Sequence, residues 1–243
     1  VLAMVNKPDY DPNNPNKGTS SEQIQESWKN RAIENVFEPG SIFKVMTSAA
    51  ALQIDSSNAN LEFNCTGSIK VGGTTLWCDE RKAKGLQDMS GIMKNSCNVG
   101  FIQLGQKIGK DALLEFTSLM SFGKKTGIDL PGESVGIIKK SDKMMPVDLA
   151  TMAFGHGLAV TQIQYLSAFN AVANGGTWIK PHVMKSLTYT DKENKKQTTE
   201  FSDFNKKNVL SSENTTILKS YMEKVVKEGT ATATKMDDIP MAG

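Results

Sequence analysis

Long apolar runs are missing from this chain. No stretch of 18 or more apolar residues occurs in its 243 positions, which excludes a membrane-spanning helix. A dominant charge sign is missing too. Lys and Arg number 28 against 26 Asp and Glu, a net charge of +2, and no basic tract marks a nucleic-acid surface. Cysteine is scarce. Cys65, Cys78 and Cys97 are too few for a disulfide scaffold, allow at most one bridge and leave the redox compartment open. There is no internal repeat, no low-complexity tract and no visible signal peptide. The chain starts at Val1 rather than Met, and it reads as an excised piece of something longer. Its length suits one sizeable domain or two small ones.

What is present predicts mostly helix with few strands. Val1 to Asn6 reads as a short strand that stops at Lys7-Pro8, and residues 9–21 as a polar loop rich in Asn and Pro. A polar segment over 21–36 leads to a Pro39-Gly40 break. The helix beyond it carries almost no charge after Lys44, so it should be buried all round. Gly72-Gly73 suggests a hairpin within 61–79. Helical spacing runs from Asp88 to Ile108, interrupted at Asn95 to Asn98, and again from Lys110 to Met120. Residues 123–136 form a Gly/Pro loop. Apolar helices are expected over 146–154 and 161–173, on either side of Gly155-His156-Gly157. Thr177 to Thr190 looks like strand, followed by a charged turn over 191–196. Ser211 or Ser212 caps a last amphipathic helix that ends at Gly229.

The chemistry concentrates at Ser41 and Lys44. Positions i and i+3 share a helix face, so hydroxyl and amine should meet near the positive end of the helix. By spacing alone the pair also describes a capping serine with a solvated lysine. The apolar run after Lys44 shifts the balance, because a buried ammonium loses solvation and its pKa falls. A neutral amine could then take the Ser41 proton during attack. Ser96 and Asn98 lie at the break between two helical stretches and could face the same cleft. There Ser96 could pass a proton to a leaving amine and Asn98 could bind a substrate amide, although Ser and Asn are ordinary turn residues.

Ser41-Ile42-Phe43-Lys44 and Ser96-Cys97-Asn98 resemble the first two active-site motifs of penicillin-binding proteins and serine β-lactamases. Phe37 to Ser41, Phe122 to Glu133, Phe154 to Thr161, Ala173 to Gly176 and Glu228 to Thr230 narrow the resemblance to class B penicillin-binding proteins. Among these, the division and sporulation transpeptidases of Gram-positive bacteria are most similar. The resemblance implies an α/β (α+β) transpeptidase fold, with a mostly helical subdomain in this chain and an incomplete central antiparallel sheet. Residues 1–243 would be a partial transpeptidase domain. The N-terminal pedestal, the membrane anchor and the C-terminal Lys-Thr-Gly region would lie outside it. Lys125-Thr126-Gly127 spells that third motif but sits in the family's surface loop; the true position falls at Met241-Ala242-Gly243. Without the strands expected beyond it, which would supply an oxyanion-hole donor, the 243 residues alone should not be a competent enzyme.

The implied function is D,D-transpeptidation. Ser41 would attack D-Ala-D-Ala stem peptides of peptidoglycan with Lys44 as base and Ser96 in proton transfer, and β-lactams would acylate Ser41. Partners would be a divisome or sporulation complex with a lipid-linked-glycan polymerase, at the extracytoplasmic face of the membrane. A β-lactam sensor, a β-lactamase and a non-catalytic scaffold are the competing readings. Trp77 would lie near the cleft entrance, touching substrate or simply packed. No cofactor is required. Cys65, Cys78, Asp79 and His156 are the right residue types for zinc, though their spacing matches no compact metal motif. A free or disulfide-bonded Cys65–Cys78 pair is the competing reading.

Overall fold

Capping residues in the sequence set where helices begin. In a computed structural model that describes every residue except Thr19, Asp203 and Asp237, the Ser20 hydroxyl accepts from the Gln23 N–H and opens α1 (Ser21–Trp28). α2 (Arg31–Glu34) and the short β1 (Val36–Phe37) follow. One 3-10 turn, Gly40–Phe43, then runs directly into α3 (Lys44–Ile54). Every residue from Lys44 to Leu52 is buried, so this stretch, which carries no charge after Lys44, has no solvent face.

β2 (Glu62–Cys65) precedes a hairpin of β3 (Ser68–Val71) and β4 (Thr74–Trp77). Its two-residue turn, Gly72-Gly73, has φ of +56° and +87°, a conformation that suits glycine at both places. β5 (Gly85–Asp88) returns antiparallel to β2. The Asp88 carboxylate accepts from the Gly91 N–H and caps α4 (Met89–Lys94). α5 (Asn98–Ile108) and α6 (Lys110–Leu119) come next. α7 (Pro146–Met152) starts on a proline, which loses nothing at a first-turn position. β6 (Val160–Thr161) pairs with β1. Thr161 and Gln164 cap the start of α8 (Gln162–Ala173) reciprocally. β7 (Thr177–Ile179), β8 (Ser186–Thr190), β9 (Lys196–Glu200) and β10 (Lys206–Asn208) precede α9 (Ser212–Glu228), which Ser211 caps. Among the described residues the strands pair two by two, always antiparallel: β1–β6, β2–β5, β3–β4, β7–β10 and β8–β9.

α3 is the centre of the core, with α5, α6 and α9 packed around it. Two expectations differ. Val1 to Asn6 forms no strand; its amino terminus donates to the His182 carbonyl, while Leu2 and Val5 stay exposed. Apolar content makes a strand only where a neighbour takes its backbone groups. Thr177 to Thr190 splits into β7 and β8, and Pro181 lies in the break, where it has no N–H for a ladder.

Candidate active site

Ser41 lies in the 3-10 turn at the mouth of α3 and is exposed, whereas Lys44, three residues on, is only 2% exposed. Four groups meet at the Lys44 amine. Nζ lies 3.1 Å from Ser41 Oγ, 2.8 Å from both the Ser96 carbonyl and Ser96 Oγ, and 2.7 Å from Asn98 Oδ1. The two motifs, 52 residues or more apart in the chain, thus form one polar cluster. The break between α4 and α5 makes this possible. Ser96 adopts φ +48°, a left-handed conformation that costs a non-glycine residue energy and recurs at functional sites. Asn98 is the first residue of α5, capped by Cys97 Sγ, which accepts from the Gly100 N–H.

Asn98 is fully committed. Its amide nitrogen donates to the Trp77 carbonyl at 3.0 Å and to Asp79 Oδ1 at 3.1 Å. An Asn side chain has two N–H donors, so both are used and the oxygen is left for Lys44. Burial pushes the Lys44 amine down to about 8 from 10.5; the Asp79 carboxylate opposes that shift.

The nucleophile turn is clamped from the opposite side. The Gly40 N–H donates to the Gly155 carbonyl at 2.9 Å, Thr47 Oγ1 to the Ala153 carbonyl at 2.9 Å, and the Tyr165 hydroxyl to the Ile42 carbonyl at 2.9 Å. Glu38, just ahead of the turn, accepts from the Gly157 N–H and pairs with His156 Nδ1, both at 3.0 Å. The His156 bond, then the Gly157 bond, holds the Glu38 carboxyl below its usual range.

A cleft of about 450 Å³ opens over Ser41, Lys44 and Ser96, walled on one side by Tyr165, Leu166 and Phe169 of α8. Gly243 also lines it, so the stretch at which the third motif is expected reaches the cleft. Other concavities, of about 600 Å³ beside Met4 and Trp28 and about 650 Å³ beside Leu114 and Ile137, lack this serine–lysine cluster. Lys125-Thr126-Gly127 lies elsewhere, in a loop. The buried Glu133 carboxylate gathers the N–H and hydroxyl of Thr126 and the N–H of Gly127.

Trp77 contributes its carbonyl to the cluster. Its half-exposed ring faces the Arg81 guanidinium 5.3 Å away and does not line the cleft. The zinc quartet does not assemble. His156 is engaged with Glu38 on the other flank of the nucleophile turn, and Asp79 turns to Asn98. Of the four, only Cys65 and Cys78 meet, at 3.6 Å, and the third thiol, Cys97, lies 3.7 Å from Cys78. All three are buried free thiols, and burial pushes Cys97 up to about 12. Glu38 and Tyr165 were given no role by the sequence: Glu38 stands within the Phe37 to Ser41 segment that carried the resemblance, and the cleft-facing side of the apolar α8 carried no signal.

A mixed helix-and-strand domain with a serine, a buried lysine and a Ser/Asn pair around one cleft is the class that fold and site define. The profile described as "Penicillin binding protein transpeptidase domain" matches residues 1–243. Stage V sporulation protein D of Bacillus subtilis is 38% identical over 233 residues, 95% of this chain and 35% of that protein. The probable peptidoglycan D,D-transpeptidase PenA of Neisseria gonorrhoeae is 32% identical over 176 residues, 72% of this chain and 29% of that protein. Penicillin binding protein 3 of Mycobacterium tuberculosis, solved with aztreonam, superposes with a TM-score of 0.77 at 25% identity, covering 88% of this chain and 49% of that one. The D,D-transpeptidase domain of an Eggerthella lenta peptidoglycan glycosyltransferase gives 0.80 at 24% identity, covering 91% and 57%. The chain belongs to the penicillin-binding protein transpeptidase domain family, in its class B branch. It spans about a third of the length of these curated relatives.

Proposed function

We propose that this chain carries the nucleophile half of a serine D,D-transpeptidase site that cross-links peptidoglycan. The observation that carries the reading is the Lys44 amine, within hydrogen-bond reach of Ser41, Ser96 and Asn98 at once. Ser41 Oγ attacks the penultimate carbonyl of a D-Ala-D-Ala stem peptide, and Lys44 takes its proton. The Ser41 N–H faces the developing oxyanion, one of the two donors such a site needs. The peptide C–N bond then breaks. Ser96 hands a proton to the departing D-Ala amine and is reprotonated from Lys44. An amine from a neighbouring stem attacks the Ser41 ester, forms the new amide and returns the hydroxyl. Asn98 holds Lys44 through its oxygen. The scheme uses no cofactor.

A β-lactam presents the same acylation target, and the M. tuberculosis relative solved with aztreonam and with ampicillin supports that ligand class. A β-lactamase would need a carboxylate poised on water. Glu133 is instead committed to Thr126 and Gly127, which favours a long-lived adduct. In this reading the domain works at the extracytoplasmic face of the membrane. An anchor lies outside residues 1–243, and the partner is a lipid-linked-glycan polymerase of a division or sporulation complex. The name of the B. subtilis relative supports the sporulation setting.

In the intact protein, fluorescent penicillin should label wild type with an adduct lasting hours, and Ser41→Ala should take no label while keeping its circular dichroism spectrum. Label persisting in Ser41→Ala overturns the nucleophile. An adduct gone in seconds makes the protein a β-lactamase, and no adduct in wild type leaves a scaffold.

A further inference from the structure

We propose that Asp79 is a positioning residue of this site, acting on Lys44 through the Asn98 amide. The inference rests on the acyl-transfer reading above. An Asn side chain can present either its oxygen or its nitrogen to a neighbour. Here Asp79 Oδ1 and the Trp77 carbonyl are acceptors only, so both claim the nitrogen end of Asn98 and turn its oxygen onto Lys44 Nζ at 2.7 Å. The carboxylate therefore does two things. It fixes which end of Asn98 meets the lysine, and it places a negative charge one side chain away from the base.

Asp79 stands at the end of the β3–β4 hairpin, two residues past Trp77, beside buried Cys78. It lies outside both sequence motifs, where no periodicity marks it, and reaches the cluster through Asn98. The charged and titratable groups around Lys44 are Asp79, the Cys97 and Cys78 thiols, and Lys84. Burial keeps Cys97 protonated at neutral pH, and the Lys84 amine is bound to the Asn95 carbonyl at 2.8 Å. Among the described residues Asp79 is thus the foremost of the groups that raise the affinity of Lys44 for its proton, against the burial that lowers it.

The test is the pH dependence of Ser41 acylation by penicillin in the intact protein, for wild type, Asp79→Asn and Asp79→Ala, with thermal melts of each. Acylation needs the neutral lysine, so wild type should lose rate as pH falls through the Lys44 value of about 8. Without the Asp79 charge the lysine releases its proton more easily. Both variants should shift this acidic limb to lower pH, by about half a unit for one solvent-screened charge. Asp79→Ala also frees the Asn98 amide and should lower the plateau rate about tenfold, the scale of one positioning hydrogen bond. Asp79→Asn keeps an acceptor and should recover most of that loss. A residue that only supported the fold would lower the rate without moving the limb. An unmoved limb in both variants overturns the proposal, as does an Asp79→Ala plateau equal to wild type. If Asp79→Ala does not fold, the limb of Asp79→Asn still decides. Failure of wild type itself to acylate would instead count against the acyl-transfer reading.

Discussion

Lys44 shows at the scale of one residue how this protein trades stability for reactivity. It is 2% exposed, and its amine is held near 8 instead of 10.5. Between those values the unfolded chain binds a proton that the folded chain does not, so stability rises with pH across that window and is lowest below it. Lys44→Met removes the titration. The unfolding free energy of wild type relative to Lys44→Met should therefore climb by about 3 kcal/mol as pH is raised from the folded to the unfolded value. Denaturant melts of the pair measure it, and a flat difference would mean an unperturbed lysine. The sequence made the residue legible, since a lysine opening a helix without further charge must be buried. The partners that oppose its deprotonation come from other parts of the chain, and spacing could not show them.

At the scale of elements, the nucleophile turn is held by backbone contact between two loops. Gly155 has φ +91°, and a Cβ there would stand 1.9 Å from the Gly40 carbonyl oxygen. Gly155→Ala should cost more than about 2 kcal/mol and impair acylation, because the contact is backbone on backbone and neither side can rotate away. Gly72, in the β3–β4 turn, has φ +56° but open space around it. Gly72→Ala should cost only about 1 kcal/mol, the left-handed strain alone, with acylation intact. Thermal melts and penicillin labelling of both variants check the contrast. The loop that spells Lys-Thr-Gly offers another test. Glu133→Ala strips the carboxylate from Thr126 and Gly127 and should destabilise by about 2–3 kcal/mol, yet leave the adduct lifetime unchanged. A longer lifetime would reveal Glu133 as a water-activating base. Helix starts, the glycine hairpin and the interrupted helix were readable because caps and turns are local chemistry. The strand expected over 1–6 was not, because pairing needs a neighbour that apolar composition does not specify.

The whole molecule is stabilised by packing around α3 far more than by charge. Each ion pair between described residues has at least one partner more than a third exposed, as in Lys139–Asp148 and Lys94–Glu228. Such pairs contribute little and are screened by salt. The unfolding free energy should move by less than about 1 kcal/mol between low and moderate sodium chloride; a larger loss would point to a charge network. The sequence by itself determined the buried helix, the meeting of a serine and a lysine three residues apart at its start, and the second motif at a helix break. Those follow from periodicity, capping and missing charge, which are local. Only the tertiary structure decided which groups surround the lysine amine. It sent Asp79 to Asn98 and His156 to Glu38, and it grouped Cys97 with Cys65 and Cys78. Each of those pairings joins residues from separate parts of the chain, and their distances depend on how the helices, hairpins and the loops between them pack rather than on any spacing along the chain.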